Sequence, residues 1–444
     1  MKTDKYLRLL GKYPGLADAA VTAADGKEDT LAQVTASVTA PVLFCYVKSV
    51  LENAADSGIK RLYFLARDGY IMKAAADAII EASGYDIKTC YLYVSRYALR
   101  NALYLKCSTA EDFEKAGFFG HCAVQSAENT LKRAGIDKDE RKEVYKRIGF
   151  DGDESKIMSD GEFDRFCDLL KNDSTLFDAI RERSAPKYEA LIAYLGQNGF
   201  FDNKRFAVVD SGWLGSVQKT LAQLTDGMIK GGSIVGYYFG LYRKKNDNYR
   251  SFLFDISDAH RYVPTFCNNL FECFCSAPHG MTVGYEEKDG VVAPVLKQEN
   301  KTVSEMADKQ TDIVRRFSYA ACKAVSQLSV KSARKLCAKL LKALMYKPDA
   351  DEAKALGAFP FCDDATETEL TCLADECKNS IDNILFFNRL DRKRKGMSIY
   401  PDKGMYWLYG SIVLSGCRPK AVYRVSVRAW EKLRLLREKR RLCR

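Results

Sequence analysis

Histidine is scarce in this sequence, with three in 444 residues, and most of the short patterns that mark phosphate and hydrolase sites are missing. There is no GxxxxGK[ST] and no GxGxxG after a strand, which argues against a P-loop nucleotide site and a standard dinucleotide fold. No GxSxG elbow occurs, and three His leave a Ser–His–Asp hydrolase few candidates. A haloacid-dehalogenase phosphatase needs two aspartates one residue apart at a strand end. The position two before Asp68 is Ala66, the position two after Asp210 is Gly212, and Asp255 and Asp258 are spaced too widely. No CxxC pair occurs among the 15 cysteines. Cys267, Cys273, Cys275 and His279 come nearest to a metal cluster, but their spacing matches no usual zinc pattern. Long apolar runs are lacking too. The stretch 405–417 is broken by Gly410 and Gly416 and is too short to span a bilayer. The first residues, Met1-Lys2-Thr3-Asp4-Lys5-Tyr6, lack the apolar core of a signal peptide. Cysteines inside apolar runs, such as Cys45 in 42–47, suit a reducing compartment. Together these features point to a cytoplasmic protein.

What is present suffices for a large core. Hydrophobic residues make up 47% and charged residues 29%, over a length that suits two to three domains or one domain with insertions. The net charge of +11 is uneven, because 418–444 holds eleven Lys or Arg against two Glu. The body is therefore nearly neutral, which argues against a nucleic-acid groove in the main fold.

The hydrophobic pattern divides the chain. Residues 1–30 read as a polar lead-in with breaks at Pro14-Gly15 and Gly26. A helix is expected over 31–57, ended by Gly58. Arg61-Leu62-Tyr63-Phe64-Leu65-Ala66 is apolar on both faces, as a buried parallel strand requires. An Ala-rich helix over 70–82 and a strand over 89–95 complete a strand–helix–strand unit. Residues 108–200 read as a charged helical insertion. The sheet resumes at 205–210, with a helix over 216–224 and further strands over 233–241 and 251–255. The core is thus expected from 31–107 and 201–290. Helices are expected over 291–417, with a basic loop beginning at Arg392-Lys393-Arg394-Lys395, followed by a basic tail over 418–444.

Two strand-to-helix turns carry the chemistry. The first is Leu65-Ala66-Arg67-Asp68-Gly69-Tyr70. A helix N-terminus offers unpaired N–H groups and partial positive charge to an anion. Gly69 would let a ligand approach the backbone, and Arg67 can clamp a phosphate bidentately. The alternative is an ordinary cap with Arg67 as a surface charge. The second turn is Asp210-Ser211-Gly212-Trp213-Leu214-Gly215-Ser216. An acid at a strand's C-terminal end sits where open α/β sheets place ligands. Asp210 suits ribose hydroxyls or a metal ion, and Ser211, Ser216 and the loop N–H groups can wrap a phosphate. The alternative is a structural turn with Ser216 as the N-cap. Ser95, Arg96 and Arg100 follow the second strand and would face the same edge. Glu272 is a lone acid in an apolar run, and a buried Glu needs a partner. It reads as a general base or as a structural ion-pair partner, and His279 as a site or loop residue.

The two turns resemble those of the type I phosphoribosyltransferases. In that family an Arg-and-Gly turn holds the pyrophosphate of phosphoribosyl pyrophosphate, and Arg67-Asp68-Gly69 is similar to it. A second strand ends in acids and a Gly/Ser/Thr loop that binds the ribose and its 5-phosphate, and 208–216 is similar to that. The family usually carries two adjacent acids there, whereas here Asp210 is followed by Ser211. A closer resemblance covers about 31–290, and more weakly 397–415. The segments 63–69, 91–96, 209–218 and 276–280 look like a bacterial surface-polysaccharide family whose members are often fused to a haloacid-dehalogenase-type phosphatase. Some of its members resemble the ribofuranosyl-phosphate transferase domain of capsule polymerases.

These resemblances imply an α/β fold with a mostly parallel sheet of phosphoribosyltransferase-like type. They imply a transferase that moves ribose 5-phosphate from phosphoribosyl pyrophosphate, with Mg²⁺, to a glycan, polyol or lipid-linked acceptor, a separate phosphatase then removing the phosphate. Arg67 and Gly69 would meet the leaving pyrophosphate. Ser211, Gly212, Trp213, Gly215, Ser216 and Gln218 would hold the sugar phosphate, with Ser95, Arg96, Arg100 and His279 nearby. Asp68 or Asp210 would stabilise the oxocarbenium-like charge, and Glu272 would take the acceptor proton. The competing functions are a phosphohydrolase and a non-catalytic scaffold of a polysaccharide-synthesis complex. Read as a helix, 421–436 places Tyr423, Val427 and Trp430 on one side, with Leu433 and Leu436 nearby and basic residues elsewhere. Such a helix can lie on an anionic membrane at the inner face of the cell. The alternative is a solvated or partner-docking helix.

Overall fold

The computed structural model describes residues 4–13, 15–121, 125–230, 233–325, 328–362, 370–395 and 404–442. Pro14 and most of the weak resemblance segment, 397–403, lie outside the described residues. Five strands make one parallel sheet: β1 Arg61–Leu65, β2 Lys88–Leu92, β3 Phe206–Asp210, β4 Val235–Gly240 and β5 Tyr249–Phe254. Their order is β2-β1-β3-β4-β5, with every neighbouring pair parallel.

The strands are apolar on both faces because the sheet separates two cores. Leu62, Phe64, Ala207, Val209, Tyr237 and Phe239 enter one core. Tyr63, Leu65, Leu92 and Val208 enter the other. This is the two-residue period of a strand, with both sets buried. The first core is covered by the helices Thr30–Asp56, Gly69–Ser83 and Lys301–Ala324. The second is covered by Arg96–Leu103, Ser174–Gln197 and Ser216–Leu224. The helices of 108–200, three of them opened by capping boxes at Thr109, Asp137 and Ser159, thus belong to a layer on the sheet. The link 241–248 is too short for a helical crossover and returns from β4 to β5 as an irregular segment.

Several expectations need correction. The lead-in expected over 1–30 is largely helical in its described residues. They form the helices Asp4–Leu10 and Leu16–Ala24, with Tyr6, Leu10 and Leu16 fully buried. The Tyr6 hydroxyl donates to Glu352 Oε1 at 2.6 Å. The boundary at 290/291 falls inside a hairpin, β6 Thr282–Lys288 with β7 Val291–Leu296. Arg392, Lys393 and Arg394 end the helix Phe386–Arg394, where cations suit the C-terminal dipole, so the basic loop does not start there. The helix Thr30–Asp56 is long and apolar enough to cross a membrane by composition, with a mean hydropathy of 1.5, although 89% of that window is buried in the fold. The helix expected over 31–57 is thus present, and polar residues interrupt its apolar run. Thr35 and Ser37 donate to Leu31 O at 2.7 Å and Gln33 O at 2.6 Å, which satisfies their hydroxyls inside the helix.

The buried N-terminal helix makes a direct prediction. Leu10→Ala should cost about 2–4 kcal/mol in urea unfolding, as deletion of a fully buried Leu side chain does. A detachable lead-in would show no change.

Candidate functional site

The strand order reverses between β1 and β3, so the chain leaves these neighbours towards opposite faces of the sheet. A crevice opens beyond their C-terminal ends at such a point. A cavity of about 1030 Å³ lies here. Its inner wall comes from the two turns read in the sequence, with Arg67 and Asp68 after β1 and Asp210, Ser211, Gly212, Trp213 and Ser216 after β3. Ser95, Arg96 and Glu272 join them. The Ala66-Arg67 and Gly212-Trp213 peptide bonds are both cis.

Ser211 ties the turns together. It is buried, its N–H donates to Asp210 Oδ1 at 2.9 Å, and its hydroxyl donates to Asp68 Oδ2. The backbone carbonyl of Asp210 accepts from the Tyr46 hydroxyl at 2.9 Å, which fixes the end of β3 to the helix Thr30–Asp56. The Asp210 carboxyl is pushed well up, first by loss of water and then by Asp68, with Glu272 adding to the repulsion. Asp68 is also raised, by burial first, against the opposing Ser211 hydroxyl, Arg67 and Arg96. Two half-buried carboxyls joined through one serine call for a shared proton or an incoming cation.

The other predicted residues separate into those at the cavity and those that build it. Arg67 lines the cavity and its Nη1 donates to Glu299 Oε2 at 2.9 Å. Trp213 Nε1 donates to Glu272 Oε1 at 2.6 Å, and the indole packs against Phe266 at 5.4 Å and Phe271 at 5.9 Å. Glu272 therefore has the partner that its burial demands. Ser95 caps the helix Arg96–Leu103 by accepting from Ala98 N at 2.9 Å, and it donates to Thr282 O at 2.6 Å. Gly215, at φ 68°, is the N-cap of the helix Ser216–Leu224 without any side-chain bond, so Ser216 is not the cap and stands at the cavity as the first helical residue.

Five expected contacts do not line the cavity. A Cβ on Gly69 would stand 2.6 Å from the Phe64 carbonyl carbon, so this glycine serves the close approach of helix and strand. Gly215 likewise faces the Tyr249 ring, 2.6 Å from where its Cβ would be. Gln218 is buried and donates to Ile234 O at 2.6 Å and Asn248 O at 2.9 Å, while its Oε1 accepts from the Tyr238 hydroxyl at 2.6 Å. Arg100 turns to the helical layer, with its guanidinium carbon 3.1 Å from the Cβ position of Gly117. His279 sits among Tyr70, Tyr91 and Tyr93, with Nε2 2.8 Å from the Tyr91 hydroxyl and Nδ1 2.9 Å from Gly280 O. Burial lowers its pKa, as a neutral ring in an aromatic nest requires. The Cys267, Cys273, Cys275 and His279 set does not converge. Cys267 accepts from Leu270 N at 3.5 Å as a helix cap, and Cys273 and Cys275 are core thiols pushed up by burial. Among the described residues no group of three His, Cys, Asp or Glu side chains is placed to hold a metal ion.

No protein-family model matches this chain, and no curated protein matches it.

Sequence reasoning missed the outer wall. Lys297, Glu299 and Asn300 follow the β6–β7 hairpin, Tyr242 comes from the link between β4 and β5, Asn268 opens the helix Asn268–Phe274, and Arg434 and Glu438 come from the helix Lys420–Leu442. Glu299 had a local signal, since Asn300 caps the helix Lys301–Ala324 by accepting from Thr302 N at 2.9 Å, and the preceding residue lies at that helix entrance. The C-terminal residues had none. Their helix folds back on the body, with Val427 and Leu435 buried and Trp430 5.8 Å from Phe386. The side carrying Val427 and Trp430 is thus engaged within the fold and is not presented to a lipid surface.

The raised Asp210 carboxyl ties stability to pH. A carboxyl whose folded pKa exceeds its unfolded value favours folding fully below the unfolded value, 3.8, and loses that contribution as pH rises through the folded value. Asp210→Asn keeps the acceptor for Ser211 N and removes the charge. Its Tm should exceed the parent's at pH 7–8, with the gap closing towards pH 4. Equal Tm values across that range would contradict the repulsion.

Proposed function

We propose that the chain is a phosphoribosyl-class glycosyltransferase with a phosphoribosyltransferase-like sheet, which moves ribose 5-phosphate from phosphoribosyl pyrophosphate to a hydroxyl of a surface-polysaccharide acceptor. The observation that carries this reading is Ser211 bridging Asp68 and Asp210. The adjacent acids of the resembling family are replaced by one acid from each of two neighbouring strands, joined through one serine.

The donor set fits Mg²⁺ arriving with a pyrophosphate. Mg²⁺ is commonly held by one or two carboxylates plus substrate phosphates rather than by an all-protein cage, and Asp68 and Asp210 are two carboxyls whose raised pKa values favour a cation. When bound, Mg²⁺ offsets the charge of the pyrophosphate. Arg67, oriented by Glu299, hydrogen-bonds the leaving phosphates. Ser216 and the N–H groups at the start of the helix Ser216–Leu224 receive the 5-phosphate. The bond from ribose C1 to the pyrophosphate oxygen breaks, the bond from C1 to the acceptor oxygen forms, and the acceptor proton passes to the Asp210 carboxylate at the cavity wall. Glu272, held by Trp213, positions the loop rather than serving as that base.

Calorimetric titration with phosphoribosyl pyrophosphate and Mg²⁺ should show one site per chain. Arg67→Ala should weaken binding by about 10–100-fold, the loss of a charged hydrogen bond. Asp210→Asn should bind the donor and lower pyrophosphate release by roughly 100-fold or more. Undiminished release in that variant removes Asp210 from the chemistry, and phosphate release from simple phosphomonoesters would favour a phosphohydrolase.

A further inference from the structure

We infer that the outer end of the cavity, built by the helix Lys420–Leu442 beside Trp213 and Tyr242, binds an uncharged glycan. The word acceptor for this glycan rests on the transfer reading; the binding itself does not.

The two ends of the cavity differ in charge. The inner end gathers Asp68 and Asp210 with Arg67 and Arg96. At the outer end the charges are mutually satisfied. Arg434 donates to Glu431 Oε2 at 2.9 Å and to Glu438 Oε1 at 2.7 Å. Glu431 also lies 3.9 Å from Arg389. Among the residues that line this wall, Lys297 and Arg434 stand against Glu299 and Glu438, two cations and two carboxylates. A phosphate or carboxylate entering beside the C-terminal helix would meet the Glu438 carboxylate next to the Arg434 guanidinium, and a cation would compete with Arg434 for its own partners. A neutral hydroxylated ligand disturbs neither. It can accept from the planar Arg434 fork and donate to the remaining lone pairs of Glu438, both of which are partly exposed, at 41% and 39%.

The surrounding surface suits the apolar faces of a sugar chain. Tyr242 and Trp213 are half-buried neighbours, with ring centroids 6.2 Å apart and the Tyr242 N–H donating to Trp213 O at 2.8 Å. Leu214 and Leu370 line the same cavity at 62% and 47% exposure. Aromatic and aliphatic walls with a few fixed polar groups are the usual make-up of a small-molecule site. The volume of about 1030 Å³ leaves room for more than the donor. Trp213 also belongs to the turn after β3, so the loop that reaches the sugar phosphate also borders the glycan end.

The test uses the full chain on an array of neutral, phosphate-bearing, carboxylate-bearing and amino glycans, with and without phosphoribosyl pyrophosphate and Mg²⁺. Neutral glycans should bind. Glu438→Gln and Arg434→Met should each lower that signal at least tenfold, with circular dichroism spectra unchanged as the control for folding. Signal from charged glycans alone, no signal at all, or signal undiminished in both variants would overturn the inference. Calorimetry with the donor on the same samples separates the two ideas. Glycan binding without donor binding leaves this inference standing and removes the transfer reading; donor binding without glycan binding does the reverse.

Discussion

Strand β1 is hydrogen-bonded along both edges, to β2 on one side and β3 on the other, and this double pairing is the constraint on which the site depends. Chain order runs from β1 to β2, yet β3 returns to the opposite edge of β1. Residues near 66 and near 210 thereby become neighbours at one end of the sheet. Burial on both faces keeps β3 inside the sheet, with Val209 in one core and Val208 in the other. The register Phe64 to Val209 then sets how Asp68 and Asp210 project beyond the strands. The helical layer of 108–200, inserted between β2 and β3, covers the face that the crossover needs covered.

The acid pair has a cost that the rest of the site contains. Loss of water raises both carboxyls, repulsion from Asp68 and Glu272 raises Asp210 further, and Ser211, Arg67 and Arg96 limit the rise. Around this pair Arg67 is held on Glu299 and Trp213 on Glu272. The site is thus preorganised by pairs that each join distant parts of the chain. Such a site lowers stability near neutral pH and keeps its charges aimed.

The C-terminal helix changes meaning once its packing is known. Its composition suits a membrane surface, but Val427, Trp430 and Leu435 are used against the body, and Tyr423 reaches Asp382 at 2.6 Å. Lys439 donates to Ser257 O at 2.7 Å, beyond the end of β5. The helix is thereby fixed over the outer mouth of the cavity. Its neutral Arg–Glu network there contrasts with the acid pair within.

Local signals in the sequence determined the elements. Runs apolar on both faces marked β1 and β3, and glycines and an acid after them marked the turns, because strand burial and helix entry leave traces within a few residues. Arg67, Asp68, Asp210 and Ser216 were legible for that reason. The same traces mislead where two causes share one signature: Gly69 and Gly215 suggest room for a ligand and are room for Phe64 and Tyr249, and Gln218 and His279 suggest contacts, whereas Gln218 is a buried brace and His279 a half-buried one. Tertiary structure alone decided that Asp68 and Asp210 share Ser211, that Glu299 holds Arg67, and that Arg434 and Glu438 reach the cavity. These relations depend on strand order and on helices folding back from far along the chain. Neither leaves a periodicity or a spacing in the sequence, because the partners lie 143 residues apart in the Asp68–Ser211 pair and 232 apart in the Arg67–Glu299 pair.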